Sequence, residues 1–91
     1  MSDATFDVQF TDEAEKSYNA LDANMTRRMN RAIDSIEKNP FYGSNIVKLK
    51  GKYAGQYRFR VGSYRIIYSV DTTRKKCIIR TIYQRGRAYQ R

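Results

Sequence analysis

Hydrophobic positions along the first half of the chain change from a strand period to a helical period. Residues 5–10 alternate apolar and polar side chains, which predicts a half-buried strand. A cap and an acidic first turn at 11–15 predict a short helix that extends to about Leu21. Apolar residues recur at helical spacing over 25–36, and this second helix is expected to end before Pro40. The first half is therefore predicted to be a strand followed by two helices.

The second half returns to a strand period, with turn residues between its apolar runs. Three strands are predicted, at residues 57–61, 64–70 and 76–83. Gly62 and Ser63 form a two-residue hairpin signal, and residues 41–53 indicate a loop or a short edge segment. We predict a single α+β domain over residues 1–91, in the order β-α-α-β-β-β. Its two helices should pack on one face of a small, mainly antiparallel, twisted sheet.

Charge is distributed unevenly between the two halves. Residues 1–45 carry 5 basic and 8 acidic side chains, whereas residues 46–91 carry 13 basic side chains and a single acid, Asp71. Such an excess favours a polyanionic partner, and nucleic acid is the usual one. The alternative, charge that only keeps a surface soluble, does not require the two signs to be segregated. We therefore predict a nucleic-acid-binding protein.

Signals for a membrane or an oxidising compartment are absent from the sequence. No stretch approaches the roughly 20 apolar residues that a membrane helix needs. The first ten residues do not have the basic and apolar regions of a secretory signal. The single cysteine, Cys77, stands in an apolar run and is predicted to be a core residue. We expect a cytoplasmic protein with no membrane partner.

Three arginines are expected to meet at the predicted hairpin. Arg58 and Arg60 share the polar face of one strand, and Arg65 follows directly across the turn. Guanidinium groups at such short range repel one another, an arrangement that proteins accept where a phosphate binds between them. An ordinary solvated strand face more often mixes Lys, Glu and Thr, and residues 38–70 contain no acid. The pattern therefore favours a phosphate site.

Further basic and aromatic residues extend this predicted surface. The predicted RNA-contacting residues are Lys48, Lys50, Lys52, Tyr83 and Arg87, while Arg85 and Tyr89 are expected beside the hairpin arginines. Aromatic rings among arginines can stack bases while the guanidinium groups neutralise phosphates. Lysines suit non-specific contacts with a phosphate backbone.

Few routes to phosphodiester cleavage are open to these residues. The chain has no histidine and no cluster of residues suited to a catalytic metal, so we predict no metal and no other cofactor. Attack by the 2′-hydroxyl of RNA on the adjacent phosphate is the available route, since arginines can position and neutralise a phosphorane. Guanidinium groups, with a pKa of about 12.5 or above, are poor bases. Tyr89 is therefore the candidate for proton transfer.

Two stretches of the chain resemble the RelE/ParE toxin superfamily. They read VKLKGKYAGQYRFRVGSYRIIYSV over residues 47–70 and IYQRGRAYQR over residues 82–91. RelE-like members of this superfamily are ribosome-dependent mRNA endonucleases, whereas ParE-like members inhibit DNA gyrase and are not nucleases. The resemblance to the RelE branch implies a catalytic set of Arg58, Arg60, Arg65, Arg85 and Tyr89. The first two positions are often lysines in that branch, so either Tyr89 acts as the base or catalysis relies mainly on charge and positioning.

The resemblance also implies a biological role. We expect the toxin component of a type II toxin–antitoxin system, which arrests growth by cutting translated mRNA in the ribosomal A site without a metal. The expected partners are a cognate antitoxin, the ribosome and mRNA, with operator DNA contacted only through the antitoxin. A ParE-like inhibitor of gyrase is the alternative, and a non-catalytic RNA-binding domain is a third possibility.

Overall fold

The protein is described by a computed structural model over residues 5–86. A strand and two helices come first, and four strands follow. The bounds are β1 Asp7–Phe10, α1 Asp12–Asn19, α2 Ala23–Lys38, β2 Ile46–Lys48, a 3₁₀ turn Gly51–Tyr53, β3 Gln56–Val61, β4 Tyr64–Asp71 and β5 Lys76–Gln84. Each segment predicted from its periodicity therefore forms an element of the expected type.

The five strands form one sheet in the order β1-β5-β4-β3-β2. β1 runs parallel to β5, and the other neighbouring strands are antiparallel. The predicted α+β fold is confirmed, with both helices on one face of a mainly antiparallel sheet. The segment expected to be a loop or a short edge contributes β2, which adds one strand to the predicted order.

Side-chain caps mark the first residues of both helices. Oγ1 of Thr11 accepts a hydrogen bond of 3.1 Å from the Ala14 amide, and Oδ1 of Asp22 accepts one of 2.8 Å from the first turn of α2. α1 ends at Asn19, two residues before the predicted end. Neither described helix has the length and the apolar character that crossing a membrane would require.

One apolar core lies between the helices and the inner face of the sheet. Its buried side chains within residues 5–86 are Ala14, Met29, Ala32, Ile36, Phe59, Val61, Ile66, Tyr68, Cys77, Ile79 and Ile82. The alternation predicted for β3 and β4 is confirmed, because Phe59, Val61 and Ile66 point into this core. Cys77 is fully buried, as predicted, and burial raises the pKa of its thiol to about 11.

Tyr68 connects the core to the segment that follows α2. Its side chain is fully buried, and its hydroxyl donates a hydrogen bond of 2.7 Å to the carbonyl of Pro40. The ring stacks on that of Tyr57, with 5.6 Å between the ring centroids. Burial, reinforced by Cys77 and Tyr57, raises the pKa of the Tyr68 phenol, so it keeps its proton and remains a donor.

The β3–β4 turn brings the sheet against α2. Gly62 in this turn has a φ of +59°, which glycine adopts without a steric penalty. The guanidinium of Arg28, on α2, lies directly against it, and a Cβ at residue 62 would be 2.8 Å from Nη2 of Arg28. Glycine therefore serves both the turn conformation and the placement of the Arg28 side chain.

Replacing Tyr68 by phenylalanine tests the buried hydrogen bond. Tyr68→Phe should lower the free energy of unfolding by about 1–2 kcal/mol, because the Pro40 carbonyl loses its buried partner. Urea denaturation measures the change. Tyr42→Phe is the control, since the Tyr42 side chain is 78% exposed and its loss of a hydroxyl should change stability little. Equal effects in the two variants would contradict the assigned role of Tyr68.

Replacing Gly62 by alanine separates the turn conformation from the Arg28 contact. Gly51→Ala is the control, because Gly51 also has a positive φ, of +66°, but open space around it. Both variants should lose about 1 kcal/mol of stability from the left-handed backbone. Only Gly62→Ala should displace Arg28, detected as a change of the Arg28 side-chain Nε–H signal in an NMR spectrum. An unchanged signal would show that Arg28 does not rest on Gly62.

Candidate nucleic-acid interface

The β3–β4 pairing places the predicted hairpin arginines side by side on the outer face of the sheet, the face turned away from the helices. Arg60 lies directly opposite Arg65, and Arg58 lies opposite Ile67. Arg65 is in turn opposite Tyr83 of β5. Residues that pair across strands direct their side chains to the same face. The structure therefore brings the three predicted arginines together and adds Tyr83 beside them.

Backbone groups of the turn hold two arginines in place. Nη1 of Arg65 donates hydrogen bonds to the carbonyls of Gly62 and Tyr64, at 3.1 and 3.0 Å. The amide of Arg85 donates a hydrogen bond of 2.6 Å to the carbonyl of Ser63. Arg85, the residue that follows β5, therefore lies beside the same turn. We define the arginine patch as Arg58, Arg60, Arg65 and Arg85.

The positive charges of the arginine patch act on one another. Partial burial lowers the pKa of Arg65 below its ordinary value, and the charges of Arg85, Arg58 and Arg60 lower it further. Tyr83 acts weakly in the opposite direction. Arg65 is therefore repelled by the other three arginines of the patch. An anionic group beside Arg65 would relieve this repulsion.

A cavity of about 190 Å³ opens between the arginine patch and the loop before β2. Arg58, Arg60 and Arg65 line it together with Ser44 and Asn45. The carbonyl of Asn45 accepts a hydrogen bond of 2.9 Å from the Arg60 amide, which attaches this loop to β3. Neither polar residue is indicated by the sequence, because the segment that contains them has no clear period. Guanidinium groups together with polar side chains suit a phosphate.

A larger groove, of about 660 Å³, lies beside the arginine patch. We call it the Glu13 groove. Its lining includes Leu49, Tyr53, Arg58, Ile67, Arg80 and Tyr83. Glu13 enters from α1, and its Oε2 accepts a hydrogen bond of 2.8 Å from the hydroxyl of Thr81 on β5. From the sequence, Glu13 is only one of the acids in a first helical turn. No local signal indicates that its partner is Thr81, which is 68 positions away.

Basic residues of α2 extend the positive surface around the hairpin. Arg28 and Arg31 line a third cavity, of about 320 Å³, together with Gly62. Arg60 and Asn45 line both this cavity and the one of about 190 Å³, so the two are neighbours. Helical spacing shows that the α2 arginines share a polar side, but it does not show that this side borders the hairpin.

The predicted lysines do not all lie on the outer face. Lys48 is opposite Tyr57 in the β2–β3 pairing, so its side chain points to the face opposite that of Arg58. Lys50 directly precedes the 3₁₀ turn. The ammonium of Lys52, within that turn, lies 5.5 Å from the centre of a neighbouring tyrosine ring. Their proposed contacts with RNA stay predictions.

Two predicted site residues, Arg87 and Tyr89, lie outside the residues that the structure describes. Their roles also stay predictions. Within residues 5–86, no group of three or more His, Cys, Asp or Glu side chains is arranged to hold a metal ion.

Comparisons with known proteins find similarity to toxins of toxin–antitoxin systems. A family model described as "ParE toxin of type II toxin-antitoxin system, parDE" matches residues 8–89. A chain of the archaeal RelE–RelB complex from Pyrococcus horikoshii OT3 is 32% identical, with a TM-score of 0.79 over 92% of this chain and 99% of that one. A chain of the heterotetrameric YoeB–YefM complex from Staphylococcus aureus is 26% identical, with a TM-score of 0.70 over 86% and 94%.

A more distant structure agrees in fold. A chain of the toxin–antitoxin complex RelBE2 from Mycobacterium tuberculosis is 22% identical, with a TM-score of 0.77 over 89% of this chain and 99% of that one. No curated protein sequence matches significantly. Because the family model spans nearly the whole chain and the archaeal relative shares a third of its residues, the chain belongs to the RelE/ParE superfamily of type II toxin–antitoxin toxins.

Proposed function

We propose that this toxin is a ribosome-dependent endoribonuclease that cuts translated mRNA in the ribosomal A site. The observation that carries the proposal is the arginine patch: Arg58, Arg60 and Arg65 line one cavity. The charges of Arg85, Arg58 and Arg60 all lower the pKa of Arg65. A phosphodiester is an anion that such a group of arginines binds well. Tyrosine rings in the adjoining groove are suited to stack on the bases of a single strand.

The proposed reaction uses the 2′-hydroxyl of the RNA itself. Its oxygen attacks the adjacent phosphorus, and the bond from phosphorus to the 5′-oxygen of the next nucleotide breaks. A 2′,3′-cyclic phosphate and a 5′-hydroxyl result, with one proton removed from the nucleophile and one delivered to the leaving oxygen. Negative charge increases on the non-bridging oxygens in the phosphorane, and Arg60 and Arg65 are positioned to stabilise it.

Proton transfer requires a different group, because guanidinium groups are poor bases. RelE-like relatives often have lysines where this chain has Arg58 and Arg60. Two routes are compatible with these substitutions. Tyr89 accepts the proton as a phenolate, the form that neighbouring guanidinium groups would favour, or catalysis relies mainly on charge and positioning.

A cognate antitoxin is the partner that we propose for the free toxin. The P. horikoshii and S. aureus relatives are complexes with RelB and YefM. An acidic segment of an antitoxin would neutralise the arginine patch in the same way as RNA phosphates. The antitoxin would then compete with the ribosome and mRNA, and operator DNA would be contacted only through it.

A ParE-like inhibitor of DNA gyrase is the second candidate. The family model that matches residues 8–89 carries the ParE name, and members of that branch act without nuclease activity. Inhibition through protein contacts does not require three guanidinium groups around one small cavity. The arginine patch therefore favours the nuclease.

Removing the central guanidinium tests the proposed function. Arg65→Ala should reduce cleavage of a message translated in vitro by about 10²-fold or more, as found when a transition-state donor is lost. Primer extension on the message measures the cut ends. Arg74→Ala is the matched control, because Arg74 is an exposed arginine in the β4–β5 turn and pairs with Asp71 at 3.9 Å. It should cleave like the wild type.

Two outcomes would reject the assignment. Equal loss of cleavage in Arg65→Ala and Arg74→Ala would show that overall charge, rather than the arginine patch, supports activity. A wild-type protein that inhibits gyrase in a supercoiling assay and leaves translated messages uncut would establish the ParE-like alternative.

The Tyr89→Phe variant tests the proton-transfer route. The ring is retained and only the hydroxyl is lost, so affinity for RNA should stay close to that of the wild type. Single-turnover cleavage should slow by about 10²-fold if the phenol transfers the proton. Undiminished cleavage would remove Tyr89 from the mechanism and leave charge and positioning as the basis of catalysis.

A further inference from the structure

Glu13 places a carboxylate in a groove that also contains basic, aromatic and apolar side chains. The Glu13 groove is bordered by Arg58 and Arg80 and by the rings of Tyr53 and Tyr83. A second RNA phosphate in this position would be repelled by the acid. The groove beside the arginine patch therefore has a different chemistry from the patch itself.

Hydrogen bonds between α1 and β5 fix the position of this carboxylate. Oγ1 of Thr11 donates to the carbonyl of Arg80 at 2.8 Å, and the Thr11 amide donates to the carbonyl of Ile79 at 3.0 Å. The Thr81 hydroxyl then donates to Oε2 of Glu13 at 2.8 Å. Three contacts thus attach the first turn of α1 to β5, and they hold the acid at the edge of the groove.

We infer that the Glu13 groove binds a nucleobase next to the phosphate held by the arginine patch, and that Glu13 selects bases with an amino group over uracil. The inference rests on the proposed function, since it assigns the base-reading part of the same RNA site. A groove of about 660 Å³ with tyrosine rings and an apolar floor at Ile67 and Leu49 suits a planar base.

The direction of selection follows from what a carboxylate can do. Ionised Glu13 only accepts hydrogen bonds. Adenine, cytosine and guanine each present an amino group that donates to such an acceptor, as cytosine N4 does to acidic side chains in nucleic-acid complexes. Uracil presents carbonyl oxygens on both sides of its single ring N–H, and these oxygens would be repelled by the carboxylate.

Cytosine and uracil provide a matched pair of ligands, because they are nearly equal in size and differ only in the group on C4 and in the proton on N3. NMR titration of the wild-type protein with CMP and with UMP measures base selection without any cleavage. CMP should bind roughly fivefold more tightly, the lower limit for one good base contact. Equal affinities for the two nucleotides would overturn the inference.

Glu13→Gln is the informative variant. Its amide oxygen can still accept from Thr81, whereas its NH₂ group can donate to a uracil carbonyl. The variant should lose the preference for CMP. Glu15→Gln is the control, because Glu15 is on the same helix and carries the same charge, but it lines a separate groove beside β1. It should retain the wild-type preference.

Cleavage mapping separates this inference from the proposed function. If wild-type protein cuts translated messages, Glu13→Gln should raise the share of cuts next to uracil by roughly fivefold, while Glu15→Gln leaves the pattern unchanged. An identical cutting pattern in wild type and Glu13→Gln would reject base selection by Glu13 and leave the nuclease assignment intact. Absence of cutting by the wild type would reject the nuclease assignment, and the CMP and UMP titrations would still test the groove.

Discussion

The antiparallel pairing of β3 with β4 through a two-residue turn is the constraint on which the rest of the protein depends. The turn sets Arg60 opposite Arg65, and the alternation of a strand then directs Phe59, Val61 and Ile66 into the core. A shift of this pairing by one residue would exchange the two faces. Burial of the apolar face therefore holds the arginines together, although their charges repel one another.

Repulsion among the arginines of the patch opposes folding, and the same repulsion favours the binding of an anion. The inner face of the sheet is stabilised by the helices, so the outer face can carry charges that would not assemble without that support. Partial burial and the neighbouring charges lower the pKa of Arg65, which means that an anion placed there gains from several guanidinium groups at once. The same gain would be available to an RNA phosphate and to an acidic segment of an antitoxin, the two partners proposed for the arginine patch.

The outer face contains two chemically different regions. Arg58, Arg60 and Arg65 of the arginine patch line a cavity of about 190 Å³, whereas the adjoining Glu13 groove combines tyrosine rings, apolar side chains and one carboxylate. Arg58 lines both regions. A nucleotide has the same division between a charged phosphate and a planar base, so in the proposed function the arginine patch would hold the backbone of one strand while the Glu13 groove distinguishes a base.

The amino-acid sequence by itself determined the local features of this protein. Periodicity located every long element, because side-chain burial repeats with the geometry of a strand or a helix, and the Gly62-Ser63 turn set the register that joins the hairpin arginines. The tertiary structure alone decided the parallel neighbour of β5, the face of Lys48 and the contact between Arg28 and Gly62. It also decided that Glu13 meets Thr81. These relations join residues far apart in the chain, and they are set by how helices and strands pack against one another rather than by any local preference.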